Sequence, residues 1–149
     1  MKKQSFLLIV LCAASSFASG KQLVNLDSGG IAIQGYDPVA FFTQHKPIKG
    51  VPPFRSDYNG ARYLFSSFED KAVFDKEPSK YEPQFGGYCA YGVSRGNRAP
   101  IKIEAWQIVN DRLLMQYDLD IKDAFNKDQQ GTLKKADQNW PRLVDKYGN

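Results

Sequence analysis

Apolar and polar residues alternate along "FRSDYNGARYLFSS", residues 54 to 67, and the alternation turns back on itself at Asn59–Gly60. An Asn-Gly pair accepts the two left-handed conformations of a type I′ turn, so this stretch predicts a β-hairpin. Phe54, Ser56 and Tyr58 then share one face, with Ala61, Tyr63 and Phe65 across from them. Ser67 follows as a helix N-cap, and Glu69 and Asp70 fall in the first turn, where negative charge suits the helix dipole. That helix is expected to run through about Lys76, with Phe68, Ala72 and Val73 as its buried stripe. Pro78 halts it, and "PSKYEP" reads as a short helical turn.

The same reading extends to both sides. In "QLVNLDSGGIAIQGYDPVAFF" an extended start gives way to a short helix, with Asp37 as N-cap and Pro38 at the first helical position. Ala40, Phe41 and Phe42 follow with an aromatic face turned inward. A second hairpin is expected in "EAWQIVNDRLLMQY", with strands 104–109 and 112–117 around Asn110–Asp111. Trp106, Ile108, Leu113 and Met115 supply its apolar surface. Two helical stretches, roughly 119–127 and 132–147, close the chain, the second interrupted near Pro141. The pattern predicts an α+β fold: a small, mainly antiparallel sheet made of two hairpins and covered by short helices.

The first residues follow a different logic. "MKKQSFLLIVLCAASSFASG" places Lys2 and Lys3 before an apolar run from Phe6 to Ala14, with small residues after it. Ser16 and Ala18 fit the positions that a signal peptidase reads, so residues 1–18 are expected to be a cleaved signal peptide. The run is too short for a stable membrane anchor. A lipoprotein reading through Cys12 is disfavoured by Leu11, where a small residue is wanted. The mature chain, 19–149, is then a single periplasmic or secreted domain with no stable membrane span.

Export changes the charge and the cysteine count. The full chain has 20 Lys+Arg, 16 Asp+Glu and a formal charge of +4. Removing Lys2 and Lys3 leaves 18 against 16, which weakens any case for a nucleic-acid partner. Of the two cysteines, Cys12 departs with the signal and Cys89 remains, with no partner for an intramolecular disulfide. Nothing in the sequence sets an oligomeric state.

Five segments in order, "GYDPVAFF" (35–42), "YNGARYLFSS" (58–67), "KYEPQFGGYCAYGV" (80–93), "AWQIV" (105–109) and "ADQNWPRL" (136–143), resemble the exported YHS domain-containing proteins. The resemblance implies a compact α+β fold related to the treble-clef-like YHS and TRASH modules, some of which bind soft metals through cysteines. Laid on this chain, the three cysteines of that metal-binding pattern fall near Ala40, on Ser66 and on Asp70. None carries sulfur. A thiolate knuckle needs several soft donors at about 2.3 Å from the ion, so the resemblance transfers the scaffold without its knuckle.

Cys89, inside "GGYCAYG", admits three readings. It is a packed core residue, the commonest fate of free cysteine. It is a ligand for a soft ion such as copper(I), with Met115 or His45 completing the site and Tyr88, Tyr91, Asp37 or Asp70 supplying oxygen. Or it is a reactive thiol near a helix start, with Arg95 and Arg98 close in sequence. No His-Glu-x-x-His, phosphate loop or dinucleotide fingerprint accompanies it. Asp37, Glu69 and Asp70 are a possible hard-metal or acid/base set, although capping already accounts for Asp37. Trp106 and Trp140 read as core or as the walls of a groove for a small ligand. The expectation is a non-enzymatic binding protein holding a transition metal or small molecule near Cys89, with Tyr88, Tyr91 and Trp106 as ligand walls. A thiol-dependent redox or transferase enzyme and a structural, partner-binding module are the alternatives.

Overall fold

The computed structural model describes residues 20–149. The expected signal peptide and Cys12 lie outside those residues. The fold is α+β, with two separate two-stranded antiparallel sheets and six helices among the described residues, where a single small sheet was expected.

The first helix, α1 (Pro38–Thr43), begins as its sequence dictates: the Asp37 carboxylate accepts from the Val39 and Ala40 amides, and Pro38 occupies the first turn. Phe41 is buried beneath it. Strands β1 (Val51–Tyr58) and β2 (Ala61–Phe65) form the first hairpin, with Asn59 at φ 49° and Gly60 at φ 78° supplying the left-handed turn. Pairing runs regularly from Tyr58–Ala61 to Arg55–Leu64, then slips, so that Val51 rather than Phe54 stands opposite Phe65. The slip falls on Pro52 and Pro53, which have no N–H to donate to a ladder.

Helix α2 (Phe68–Lys76) starts at Ser67, whose side chain accepts from the Asp70 amide. Its inward face differs from the expected one. Phe74 is buried, whereas Phe68, Ala72 and Val73 are exposed. The helix is turned so that Asp70 and Phe74, four residues apart, point inward; the Phe74 ring meets Tyr58, Tyr63 and Phe65 at centroid distances of 6.0, 5.0 and 5.1 Å. Helix α3 (Pro78–Tyr81) is the anticipated short turn, and α4 (Ala90–Ser94) follows the glycine pair.

The second hairpin, β3 (Gln107–Val109) with β4 (Arg112–Leu114), turns at Asn110 and Asp111, both left-handed. It is shorter than its sequence suggests. A 3-10 turn at Ile103–Ala105 takes up the residues before it. Beyond β4 the chain leaves its hairpin partner, and Met115 bridges to Cys89.

Helices α5 (Leu119–Asn126) and α6 (Gln129–Tyr147) are capped by Asp118 and Asp128. Helix α6 continues through Pro141 instead of being interrupted there. It packs along α4 and buries Leu133, Ala136 and Leu143, and this packing outweighs one missing hydrogen bond. Asn139 adds to the contact by donating to the Val93 and Ser94 carbonyls at 3.0 Å each, satisfying the end of α4. The two ends of the described chain are paired: Gln22 and Asn149 exchange two backbone hydrogen bonds of 2.9 Å. No described helix is long and apolar enough to cross a membrane.

Candidate functional site

Cys89 is placed by backbone geometry. In the turn Gln84–Gly87, Phe85, Gly86 and Gly87 all adopt positive φ. At Gly86 the chain passes so close to Leu23 that a side chain would meet the Leu23 carbonyl oxygen, and Asn25 donates its amide to the Gly86 carbonyl at 2.8 Å. The turn delivers Cys89 as the N-cap of α4, the helix start expected for it.

The thiol there is buried, 1% exposed, and fully engaged. It donates to Gln116 Oε1 at 3.4 Å and accepts from the Gly92 amide at 3.4 Å. Gln116 Oε1 also accepts from the Tyr91 amide at 3.0 Å. The Gln116 Nε2, equally buried, has no partner among the described residues. Burial pushes the Cys89 thiol up, and the amides of Gly92, Tyr117 and Tyr91 only partly offset it. The sulfur therefore sits as a neutral thiol at neutral pH, the opposite of what a nucleophile needs.

Of the residues expected around it, Met115 stays beside it and His45 does not. Met115 is Cys89's bridge partner, with its carbonyl accepting from Ala90 at 2.8 Å and its side chain buried in the same apolar cluster. His45 stands exposed on the turn after α1 and joins no metal-binding group. Among the described residues no three His, Cys, Asp or Glu side chains gather as a metal site. Trp106 packs on Phe41 with ring centroids 5.1 Å apart. Tyr88 packs against the cluster that holds Phe85 and Leu114. Tyr91 lines a shallow basin with Arg95, Lys127, Lys135 and Asn139. None of the main openings among the described residues is lined by Tyr88, Tyr91 and Trp106 together.

Asp37 is the most deeply placed acid. It is buried, and its two oxygens accept from Val39 N, Ala40 N, Ser66 N and Ser66 Oγ at 2.8 to 3.3 Å. The Ser66 hydroxyl also reaches Asp70 Oδ2 at 3.4 Å. Burial first, then the hydrogen bond and charge of Asp37, push the Asp70 carboxyl up to about 6. Ala40, Ser66 and Asp70, the positions that the resemblance aligns with metal-binding cysteines, thus gather around one carboxylate. Glu69 is exposed and apart from these contacts.

A cleft of about 630 Å3 lies elsewhere, between the Gln84–Gly87 turn, the second hairpin and α6, with Leu23 and Val24 in its lining. Asp137, Trp140, Pro141 and Val144 face it from α6, so the helix must stay unbroken at Pro141 to build the wall. Arg112 is held across it: Nε donates to Gln84 Oε1 at 2.9 Å, and the two terminal nitrogens donate to Asp137 at 3.0 and 2.6 Å. Its guanidinium lies 5.4 Å from the Phe85 ring centroid, and Phe85 meets Trp140 edge-on at 5.9 Å. At the other end Glu82 lies beside Asn59 and Tyr63. Burial raises the Glu82 carboxyl and, more strongly, the Tyr63 phenol, to whose rise the charge of Glu82 adds.

Sequence reasoning reached Trp140 as a groove wall and missed Glu82, Gln84, Phe85, Arg112 and Asp137. The available signal was the spacing 137, 140, 141, 144, one face of a helix, which is visible only if Pro141 does not end it. Against protein-family models, curated proteins and solved structures, nothing matches this chain.

Proposed function

We propose that the chain is an exported, non-enzymatic binding protein of the YHS type that takes a small ligand in the cleft walled by Phe85, Arg112 and Trp140. The cleft carries the reading. Its volume suits a small molecule, and its aromatic walls stand beside polar side chains already locked by hydrogen bonds. The ligand position moves accordingly, from Cys89 to the cleft. The YHS assignment is supported by the gathering of Ala40, Ser66 and Asp70 about Asp37. A thiol-dependent enzyme is disfavoured by the neutral, hydrogen-bonded sulfur, which has no base beside it. Fragment screening by amide NMR tests the proposal: hits should map to Phe85, Arg112 and Trp140, and Trp140→Ala should abolish them. Hits confined to other surfaces, or unaffected by Trp140→Ala, overturn it.

One observation favours a second reading, a copper(I) ion between Cys89 and Met115: the two are bridge partners, and both are buried. Under reducing conditions such a site takes up one equivalent of copper(I), and Cys89→Ser loses it. Equal uptake by the variant ends that reading.

A further inference from the structure

The charges around the cleft do not cancel. Glu82, Asp137 and Asp145 line it against Lys21 and Arg112. Arg112 is committed, bound to Asp137 through two nitrogens and to Gln84 through the third, whereas Lys21 is exposed and its ammonium donates only to the Asp145 backbone carbonyl, at 2.8 Å. An incoming anion would find one exposed ammonium at the rim and would face surplus acid. Glu82 is the reverse case. It lines the cleft, is half-buried, and forms no ion pair among the described residues. A carboxylate partly withdrawn from water without a cation is costly, and a positively charged ligand removes that cost. The lining also includes the half-buried Trp140 ring, packed on the buried Phe85 ring, which suits an apolar or aromatic group.

Resting on the cleft reading above, we infer that the ligand is a small organic cation, an amine whose ammonium pairs with Glu82 while its apolar or aromatic body lies against Phe85 and Trp140. The burial that raises the Glu82 carboxyl agrees with a site whose countercharge arrives with the ligand.

Three probes of one skeleton separate the possibilities: phenethylamine, 2-phenylethanol and phenylacetate, titrated into the protein while the indole N–H signals of its two tryptophans are followed. Phenethylamine should shift the Trp140 signal and leave that of Trp106 in place, with a Kd at least tenfold below that of 2-phenylethanol and phenylacetate weakest. Glu82→Gln should erase that preference and leave 2-phenylethanol unchanged. If the alcohol binds as well as the amine, or Glu82→Gln keeps the preference, the cation inference falls and the cleft reading stands. If no probe moves the Trp140 signal, both fall. Should Glu82→Gln fail to fold, a salt series on the unmodified protein decides: the amine's advantage must shrink with ionic strength, and a salt-independent advantage overturns the inference.

Discussion

Arg112 and Asp137 lie 25 residues apart in sequence and meet through two N–H···O bonds, of 3.0 and 2.6 Å, joining the second hairpin to α6 across the cleft. This pair differs from Arg62–Asp57, which is more exposed and joins neighbouring strands of one hairpin. A double-mutant cycle on Arg112→Ala and Asp137→Ala should give a coupling of about 0.5–1 kcal/mol in denaturant unfolding at low salt, falling as salt is added. The same cycle on Arg62 and Asp57 should give no detectable coupling. Arg112→Lys should behave like Arg112→Ala, because a single ammonium cannot reproduce the fork held by Asp137 and Gln84.

Cys89 should act as a capping and packing residue in stability measurements. Cys89→Ser keeps a donor for Gln116 and an acceptor for the Gly92 amide, so it should cost less than about 1 kcal/mol. Cys89→Ala removes both and should cost about 1–2 kcal/mol. Native-state alkylation should be slow at neutral pH and reach the unfolded rate only in denaturant. Rapid labelling of the folded protein would show that the thiol is neither buried nor neutral.

The pH dependence follows from Asp70. Its folded carboxyl is raised to about 6 from the ordinary 3.8 of an aspartate, first by burial and then by Asp37. A raised carboxyl favours the fold while protonated, so its stabilising contribution is complete below about 4 and disappears as pH rises through about 6. Asp70→Asn imitates the protonated form. It should leave the melting temperature unchanged near pH 4, raise it near pH 7.5, and flatten the profile between. Asp57 and Asp75 shift downward, and their opposite contribution fades in acid, below this window. An Asp70→Asn profile that tracks the unmodified protein throughout would show that burial beside Asp37 does not raise the Asp70 carboxyl.

What was legible in the chain was local. The hairpin turns at Asn59–Gly60 and Asn110–Asp111 and the caps Asp37 and Ser67 depend on a few adjacent residues, and all four occur where the sequence places them. What was not legible depends on distant partners. Phe54 lost its place opposite Phe65 because two prolines interrupt the ladder. The cleft draws on residues near 23, 82–86, 112 and 137–145, and no periodicity joins those segments. Cys89 was recognised as unusual, but whether its sulfur is free or satisfied depends on Gln116, 27 residues away.

Asp37 should be the costliest polar position in the first half of the chain. Its carboxylate satisfies three backbone amides and one hydroxyl, from both α1 and the end of β2, and it does so in a buried setting. Asp37→Ala leaves those donors without an acceptor and should destabilise by about 2–4 kcal/mol. Asp37→Asn keeps the shape but turns one acceptor into a donor facing other donors, so it should recover only part of the loss. If either variant unfolds at the same denaturant concentration as the unmodified protein, the carboxylate does not join α1 to β2.

The orientation of α2 gives the sharpest contrast between pattern and packing. Phe68 and Phe74 sit on one helix, yet Phe68 is 64% exposed and Phe74 is 1% exposed among three aromatic rings. Truncation measures the difference directly. Phe74→Ala opens a cavity between Tyr58, Tyr63 and Phe65 and should cost about 3–5 kcal/mol. Phe68→Ala should stay within about 0.5 kcal/mol of the unmodified protein, as expected for a surface position. Equal losses at the two sites would mean that α2 is rotated in solution so that Phe68, Ala72 and Val73 face the core. Asp70 would then be swung away from Ser66 and Asp37, and the pH profile expected for Asp70 would vanish with it.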